Sequence, residues 1–358
     1  MTCHYQIKMS NKANIQFLDT LRALATLGVI IIHVSTPVLK MTYGKNMEFW
    51  WIGNGIDSCV RFVIAMFLML SGATMLSKTY KLGDFYLRRF MRVLVPFLFW
   101  SAIYCVYLWQ NLPTKSQPAD LFSIFSWALN LFVNQSISRH FWYIYMIVII
   151  YVFVPFLGKA VRKLNKTTLW SILLVWVLIN VAQTFHWFTI SSWPVLLQHF
   201  FGYIMYSGYL VLGYQLMKVQ IPSYRIRILA AFVFILTILI AAVSTWFLSK
   251  QAHKLDTSMY GSLTPNTLLQ SVALFILLKD IATNNKIVRW FITNLSNYSY
   301  GIYLVHVLII NLLFDHKIFW TMAYPLVSLP AIVSLVLISS FGMIFVLRKV
   351  PGGNYISG

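Results

Sequence analysis

Long apolar segments alternate with short polar segments along nearly the whole chain. Segments of the roughly 20 residues that a helix needs to cross a membrane recur, whereas the alternating segments of a membrane β-barrel do not. The pattern predicts an all-α, polytopic membrane protein with about ten transmembrane helices. The predicted spans cover residues 18–36, 59–76, 93–109, 141–158, 169–186, 196–217, 226–248, 268–281, 300–314 and 326–347.

A further apolar segment, residues 121–133, is shorter than a typical membrane-crossing helix. Its length favours a re-entrant or interfacial segment. None of the polar segments is long enough for a soluble domain, so we predict a single membrane domain over residues 1–358. Residues 1–17 and 348–358 would form its cytoplasmic ends.

The composition agrees with this prediction, because 59% of the residues are hydrophobic and only 10% are charged. The formal net charge of +20 does not indicate nucleic-acid binding, since the lysines and arginines lie in short loops between apolar segments. Nineteen of them fall on one predicted side of the membrane and seven on the other. The positive-inside rule then predicts that the richer side and both termini are cytoplasmic.

The first apolar segment contains two ionisable residues, Arg22 and His33. Eleven positions separate them, which on a helix is roughly 16 Å along the axis and about 20° of rotation, so both point from one face. Asp19 is close enough along the helix to pair with Arg22. Ionisable residues inside a span are costly and usually functional, although a structural pairing between helices is the alternative.

Two further groups of arginines flank the early spans. Arg61 follows Asp57 by four residues, and the pair is either a salt bridge at the outer helix end or part of a site. Arg88, Arg89 and Arg92 precede the third span on the predicted cytoplasmic side. Guanidinium groups bind phosphate with two parallel hydrogen bonds, but the orientation rule and anionic lipids would also place arginines here.

Asp19, Trp142 and His306 are weaker candidates for a pocket. His306 lies inside a predicted span, and Trp142 fits an interfacial aromatic belt. His140 is most simply a solvated loop residue, although it could close the outer mouth of a cavity. The three cysteines have no metal-ligand spacing, so we expect no metal site.

These residues resemble the signature of membrane-bound acyltransferase family 3. Its hallmark is an arginine, ten residues and a histidine, which Arg22 and His33 match. Four other segments resemble family motifs in the family's order, namely residues 66–72, 88–96, 140–145 and 296–306. Since the chain has no added hydrolase-like domain, it resembles the stand-alone branch that acylates surface polysaccharides or their precursors.

The resemblance implies an O-acyltransferase of the bacterial cytoplasmic membrane. The donor would be acyl-CoA, with acetyl-CoA as the first expectation, and the acceptor a hydroxyl of an extracytoplasmic carbohydrate or envelope glycan. Arg22, Arg88, Arg89 and Arg92 would bind the donor phosphates. His33 would act as general base or carry the acyl group, and Arg61 would stabilise the oxyanion or orient the acceptor.

The alternative is a transporter or flippase for a polysaccharide or lipid-linked sugar, with the same charged residues along its path. Internal symmetry or paired broken helices would favour it, and the sequence shows no convincing internal symmetry. The sequence leaves the acyl group, the acceptor and the oligomeric state open.

Overall fold

The computed structural model describes residues 2–118, 120–185, 187, 195–221 and 223–358. Within these residues, all regular structure is helical. The α-helices are α1 Thr2–Thr42, α2 Met47–Cys59, α3 Val63–Met75, α4 Leu82–Gln110, α5 Leu121–Val133, α6 Trp142–Lys163, α7 Lys166–Thr184, α8 Val195–Met205, α9 Ser207–Lys218, α10 Tyr224–Ala252, α11 Pro265–Leu278, α12 Lys286–Asn297, α13 Ser299–Asp315, α14 Pro325–Leu347 and α15 Gly353–Ile356.

Local sequence signals explain where several helices begin. The Asp120 side chain accepts a hydrogen bond from the backbone N–H of Ser123, and the Ser123 hydroxyl accepts one from the backbone N–H of Asp120. The two residues therefore form a capping box at the start of α5. Asn165 caps α7 in a similar way through the backbone N–H of Thr168. Pro265 and Pro325 occupy the first turns of α11 and α14, where a missing N–H costs nothing.

The prediction of a polytopic all-α membrane protein is confirmed. Among the described residues, eight segments are long and apolar enough to cross a membrane, and each coincides with one of the predicted spans. A ninth is reached if α12 and α13, which bend by 76° relative to each other, count as one span. The predicted span at 196–217 instead falls on two shorter helices, α8 and α9.

The second span begins earlier than the sequence predicted. It covers Met47–Met75, since α2 and α3 together form one membrane-length segment. The prediction of a start at residue 59 was wrong because Glu48, Asn54 and Asp57 lower the hydropathy of α2. Arg61 consequently lies at the middle of the span and not near its outer end.

Close helix packing fixes the position of α3. A Cβ atom at Gly72 would overlap the carbonyl oxygen of Leu210 on α9, and one at Gly213 would overlap that of Met69 on α3. The backbones of the two helices therefore touch at two glycines. Small residues at such contacts are typical of helix packing in membranes.

Substitution of Gly72 by alanine is therefore expected to destabilise the fold. Backbone cannot move aside as a flexible side chain can, so we expect a loss of about 1–3 kcal/mol in the free energy of unfolding. Thermal unfolding in detergent measures it, with Gly55→Ala as control because a Cβ there has no neighbour within 4 Å. Equal stability of the two variants would show that α3 and α9 do not pack as described.

Helix α13 is held to α4 by an inserted tyrosine. The Tyr104 hydroxyl donates to the carbonyl oxygen of Leu304 (3.2 Å) and accepts from the backbone N–H of Leu308 (2.7 Å). In an uninterrupted α-helix these two backbone groups bond directly to each other. Tyr104 thus fixes the turn of α13 that contains His306.

Candidate active site

A cavity of about 1290 Å³ lies among α1, α3, α4, α6, α12 and α13. All four arginines that the sequence suggested for phosphate binding line it: Arg22, Arg88, Arg89 and Arg92. Lys81 and Arg348 add two more cations, and Asp84 is the only acidic residue among the lining residues that the structure describes. Such an excess of positive charge favours a polyanionic ligand.

Arg22 is held by a small hydrogen-bonded group. Its Nη1 donates to the Ser296 hydroxyl (3.0 Å), which in turn donates to Oδ1 of Asp19 (2.7 Å). The same carboxylate oxygen lies 3.5 Å from Nη1 of Arg22. The predicted pairing of Asp19 with Arg22 is therefore present, and a third helix, α12, contributes Ser296 to it. This leaves the guanidinium partly exposed towards the cavity.

The arginines of α4 lie in its first three turns, since the helix begins at Leu82. Arg88 and Arg92 are exposed and Arg89 is half-buried. The ion pairs Arg22–Asp19 and Arg61–Asp57 do not include the arginines of α4. The guanidinium groups of α4 therefore keep hydrogen-bond donors for an anionic ligand.

Arg348, at the end of α14, is a cavity residue that the sequence analysis counted only as an orientation signal. Its guanidinium lies 4.3 Å from the centre of the Tyr298 ring and donates to the carbonyl oxygen of Asn297 (3.0 Å) and the hydroxyl of Ser357 (3.2 Å). The following residues Asn354 and Tyr355 also line the cavity. Arg348 thus anchors the segment after α14 against the cavity.

Three histidines from different elements meet beyond the cavity. The ring centroids of His33 and His306 are 5.1 Å apart, those of His140 and His306 5.1 Å, and those of His33 and His140 5.9 Å. His306 and His140 are buried, whereas His33 is half-buried. The interpretation of His140 as a solvated loop residue was wrong, because the 3-10 turn Arg139–Phe141 directs it into the bundle.

The hydrogen bonds of His306 define its tautomer. Its Nδ1 lies 2.7 Å from the carbonyl oxygen of Tyr303, and since a carbonyl only accepts, Nδ1 carries the hydrogen. Nε2 is then the acceptor nitrogen of the neutral ring, and it is buried without a hydrogen-bond partner among the described residues. Nε2 of His140 is also buried without a hydrogen-bond partner among the described residues, while its Nδ1 bonds the Ser138 hydroxyl at 2.8 Å, a group that can donate or accept.

Buried polar atoms without partners are costly, so they commonly mark places where a substrate or water binds. The described residues contain no group of three metal ligands with suitable geometry, the three histidines included. His33, His140 and His306, here called the histidine cluster, therefore bring three imidazole rings together, two of them with an unpartnered Nε2.

Tyr303 separates the cavity from the histidine cluster. It lines the cavity, and its ring lies 5.2 Å from that of His140 and 5.9 Å from that of His306. Its hydroxyl donates to the carbonyl oxygen of His140. Sequence reasoning missed Tyr303, which lines the cavity and contacts two of the three histidines.

Arg61 belongs to a neighbouring polar group. It pairs with the buried carboxylate of Asp57, and its guanidinium lies 4.0 Å from the centre of the Tyr260 ring. The other oxygen of Asp57 accepts a hydrogen bond from Ser35 (3.3 Å), two residues after His33 on α1. The pair thus connects the middle of the second span to the histidine region of the first.

The ion pair predicts that Arg61 contributes to the stability of the fold. Arg61→Leu would leave the Asp57 carboxylate, only 1% exposed, without a counter-charge, and we expect a loss of about 3–5 kcal/mol in stability. Thermal unfolding in detergent measures it. The double variant Arg61→Leu, Asp57→Asn is expected to recover most of the loss. A single variant that is inactive but as stable as the wild type would instead assign Arg61 to the reaction.

Trp142 is not among the described residues that line the cavity. Its ring lies 5.9 Å from that of Tyr206, whereas its neighbour Tyr143 lines the cavity and contacts Tyr303 with centroids 5.6 Å apart. Of the aromatic segment after the outer loop, Tyr143 therefore lines the cavity, and His140 lies among the three histidines.

A family model for the acyltransferase domain matches residues 15–348, which include Arg22, His33, Arg61, the α4 arginines and all three clustered histidines. The chain belongs to acyltransferase family 3. Searches of curated proteins and of solved structures each give no significant match. Membership of this family establishes that the protein is a membrane acyltransferase. The structure shows which of the candidate side chains lie close together.

Proposed function

We propose that this acyltransferase moves an acyl group, acetyl in the first instance, from cytoplasmic acyl-CoA to a hydroxyl of an extracytoplasmic carbohydrate or envelope glycan in the bacterial cytoplasmic membrane. One observation carries the proposal. A cavity with an excess of arginines ends at Tyr303, and Tyr303 contacts two members of a cluster of three histidines. Transfer of an acyl group from a phosphorylated carrier requires an anion site that binds the carrier and, next to it, reactive groups such as buried imidazoles.

The proposal assigns the arginine end of the cavity to the donor nucleotide. Coenzyme A carries phosphates at its nucleotide end, and guanidinium groups bind phosphate oxygens bidentately and stay charged at any working pH. The cavity of about 1290 Å³ exceeds the roughly 300–1,000 Å³ of pockets for drug-sized ligands, as a larger donor needs. Arg22 and His33 are roughly 16 Å apart along α1, a distance that the extended pantetheine arm can span.

The histidine cluster would carry out the transfer. Neutral His33 takes the proton from the acceptor hydroxyl as the hydroxyl oxygen bonds the thioester carbonyl carbon. The carbon–sulfur bond then breaks, and the coenzyme A sulfur leaves with the proton. In the alternative course, His33 first receives the acyl group and releases it to the acceptor. The unpartnered Nε2 atoms of His306 and His140 are available to position or relay this proton.

Two measurements test the proposal. Purified protein in detergent is expected to bind coenzyme A saturably and, with an acceptor glycan, to release free thiol from acetyl-CoA. Mass spectrometry of envelope glycans from cells with and without the gene is expected to show acyl groups that depend on it. Folded protein that binds no coenzyme A at millimolar concentration would overturn the assignment of the donor.

A further inference from the structure

Helix α12 differs from the membrane-crossing helices in how its side chains are distributed. Its apolar residues Ile287, Val288, Phe291, Ile292 and Leu295 recur at helical spacing and lie on one face. The opposite face carries polar residues and two cations. A short helix with such a sharp division and a low net hydrophobicity is typical of helices that lie in the plane of a membrane surface.

The exposure of these side chains agrees with a surface position. On the apolar face, Ile287 is 78% exposed, Phe291 51% and Val288 44%, which is too much apolar surface to leave in water. Helix α12 also bends by 76° relative to α13, whose residues continue into the bundle. If α13 runs across the membrane, α12 runs nearly along its surface, and its exposed apolar face points into the lipid.

The polar face has the chemistry of a site for a phosphate group. Lys286, Arg289, Trp290, Thr293 and Asn294 line a shallow groove of about 300 Å³. Arg289 bonds the carbonyl oxygen of Asn284 through Nη2, but its buried Nε has no hydrogen-bond partner among the described residues. The groove therefore holds two positive charges and an unused hydrogen-bond donor.

We propose that α12 lies in the cytoplasmic surface of the membrane and that Lys286 and Arg289 bind the phosphate of anionic phospholipids. The exposed apolar face identifies the bilayer as the partner, and the two cations select anionic lipid within it. Ser296, on the same helix, bonds both Arg22 and Asp19. Lipid binding at α12 would therefore also position Arg22. The importance of this effect rests on the proposed function, whereas the lipid site itself does not rest on it.

The orientation of α12 is tested with an environment-sensitive fluorophore on single cysteines. Cys3, Cys59 and Cys105 are first replaced by serine or alanine, and the label is attached at Ile287→Cys or, as matched control on the polar face, at Thr293→Cys. In nanodiscs, quenchers attached to lipid are expected to act on the label at 287 and aqueous iodide on the label at 293. Equal access of iodide to both positions would overturn the surface orientation.

The headgroup site is tested with a label at Asn294→Cys in the groove. Phosphatidylglycerol added to micelles is expected to change its fluorescence saturably, while phosphatidylcholine and inorganic phosphate are not. Lys286→Gln with Arg289→Gln should weaken this response about 20-fold, since each cation near anionic lipid contributes roughly fivefold. The control Lys163→Gln with Lys166→Gln removes two exposed cations from the α6–α7 connection and should change nothing.

Equal responses to the two lipids, or an unchanged response in the α12 variant, would refute the headgroup site. Binding of a soluble protein that displaces the label from lipid would also refute it. None of these readouts depends on acyl transfer, so their failure would leave the proposed function untouched.

Discussion

Replacement of His33 by alanine is expected to lower the rate of acyl transfer by about 10²–10⁴-fold, the usual contribution of a general base, and by more if His33 carries the acyl group. Coenzyme A affinity should stay nearly unchanged, because the arginines proposed to bind its phosphates line the cavity whereas His33 does not. Thiol release from acetyl-CoA and equilibrium binding to purified protein measure the two quantities separately.

The exposed His316 provides the matched control, since it directly follows α13 and its Nδ1 lies 2.8 Å from the carbonyl oxygen of Leu312 in that helix. His316→Ala should transfer acyl groups at the wild-type rate. A folded His33→Ala variant with wild-type transfer would eliminate His33 from the chemistry. A variant that lost coenzyme A binding and transfer together would show that His33 acts in donor binding.

The arginines of α4 are expected to dominate donor affinity. Changing Arg88, Arg89 and Arg92 to glutamine together should raise the dissociation constant of coenzyme A at least about 100-fold, because hydrogen bonds to charged groups contribute about 1.5–3 kcal/mol each. Dephosphorylated pantetheine thioesters should lose much less, since they lack the nucleotide phosphates. Isothermal titration of both ligands against the purified variant measures the difference.

A matched control removes the same charge from a different place on the side predicted to be cytoplasmic. Lys159, Lys163 and Lys166 are exposed around the α6–α7 connection and do not line the cavity. Their triple glutamine variant should bind coenzyme A as the wild type does. If both triple variants weaken binding equally, the effect comes from the general positive field and not from a site.

Much of the fold could be predicted because a membrane span is a long, simple signal. The eight spans that the structure supports were all found from apolar length alone. The start of the second span was missed since Glu48, Asn54 and Asp57 interrupt its apolar pattern, although Asn54 and Asp57 are buried within the bundle. Hydropathy measures a residue's own polarity and does not detect partners contributed by other helices.

The site was predicted to the extent that single residues were unusual in their own segment. Arg22 and His33 stand out within an apolar helix, and the structure connects Arg22 to the cavity and His33 to the histidine cluster. His140 follows a polar loop, Tyr303 is an ordinary residue of an apolar span, and Arg348 is one of many cations at helix ends. Their importance arises from contacts across the bundle, which no local pattern encodes.

The proposed mechanism requires that the donor extends from the arginines past Tyr303 to His33. It is tested most directly by an electron cryo-microscopy structure of the protein with a non-hydrolysable thioether analogue of acetyl-CoA. The account predicts phosphates within hydrogen-bond distance of Arg22 and the α4 arginines, and the acetyl end beyond Tyr303 next to His33. An analogue bound outside the cavity, or one whose acetyl end stays on the arginine side of Tyr303, would contradict it.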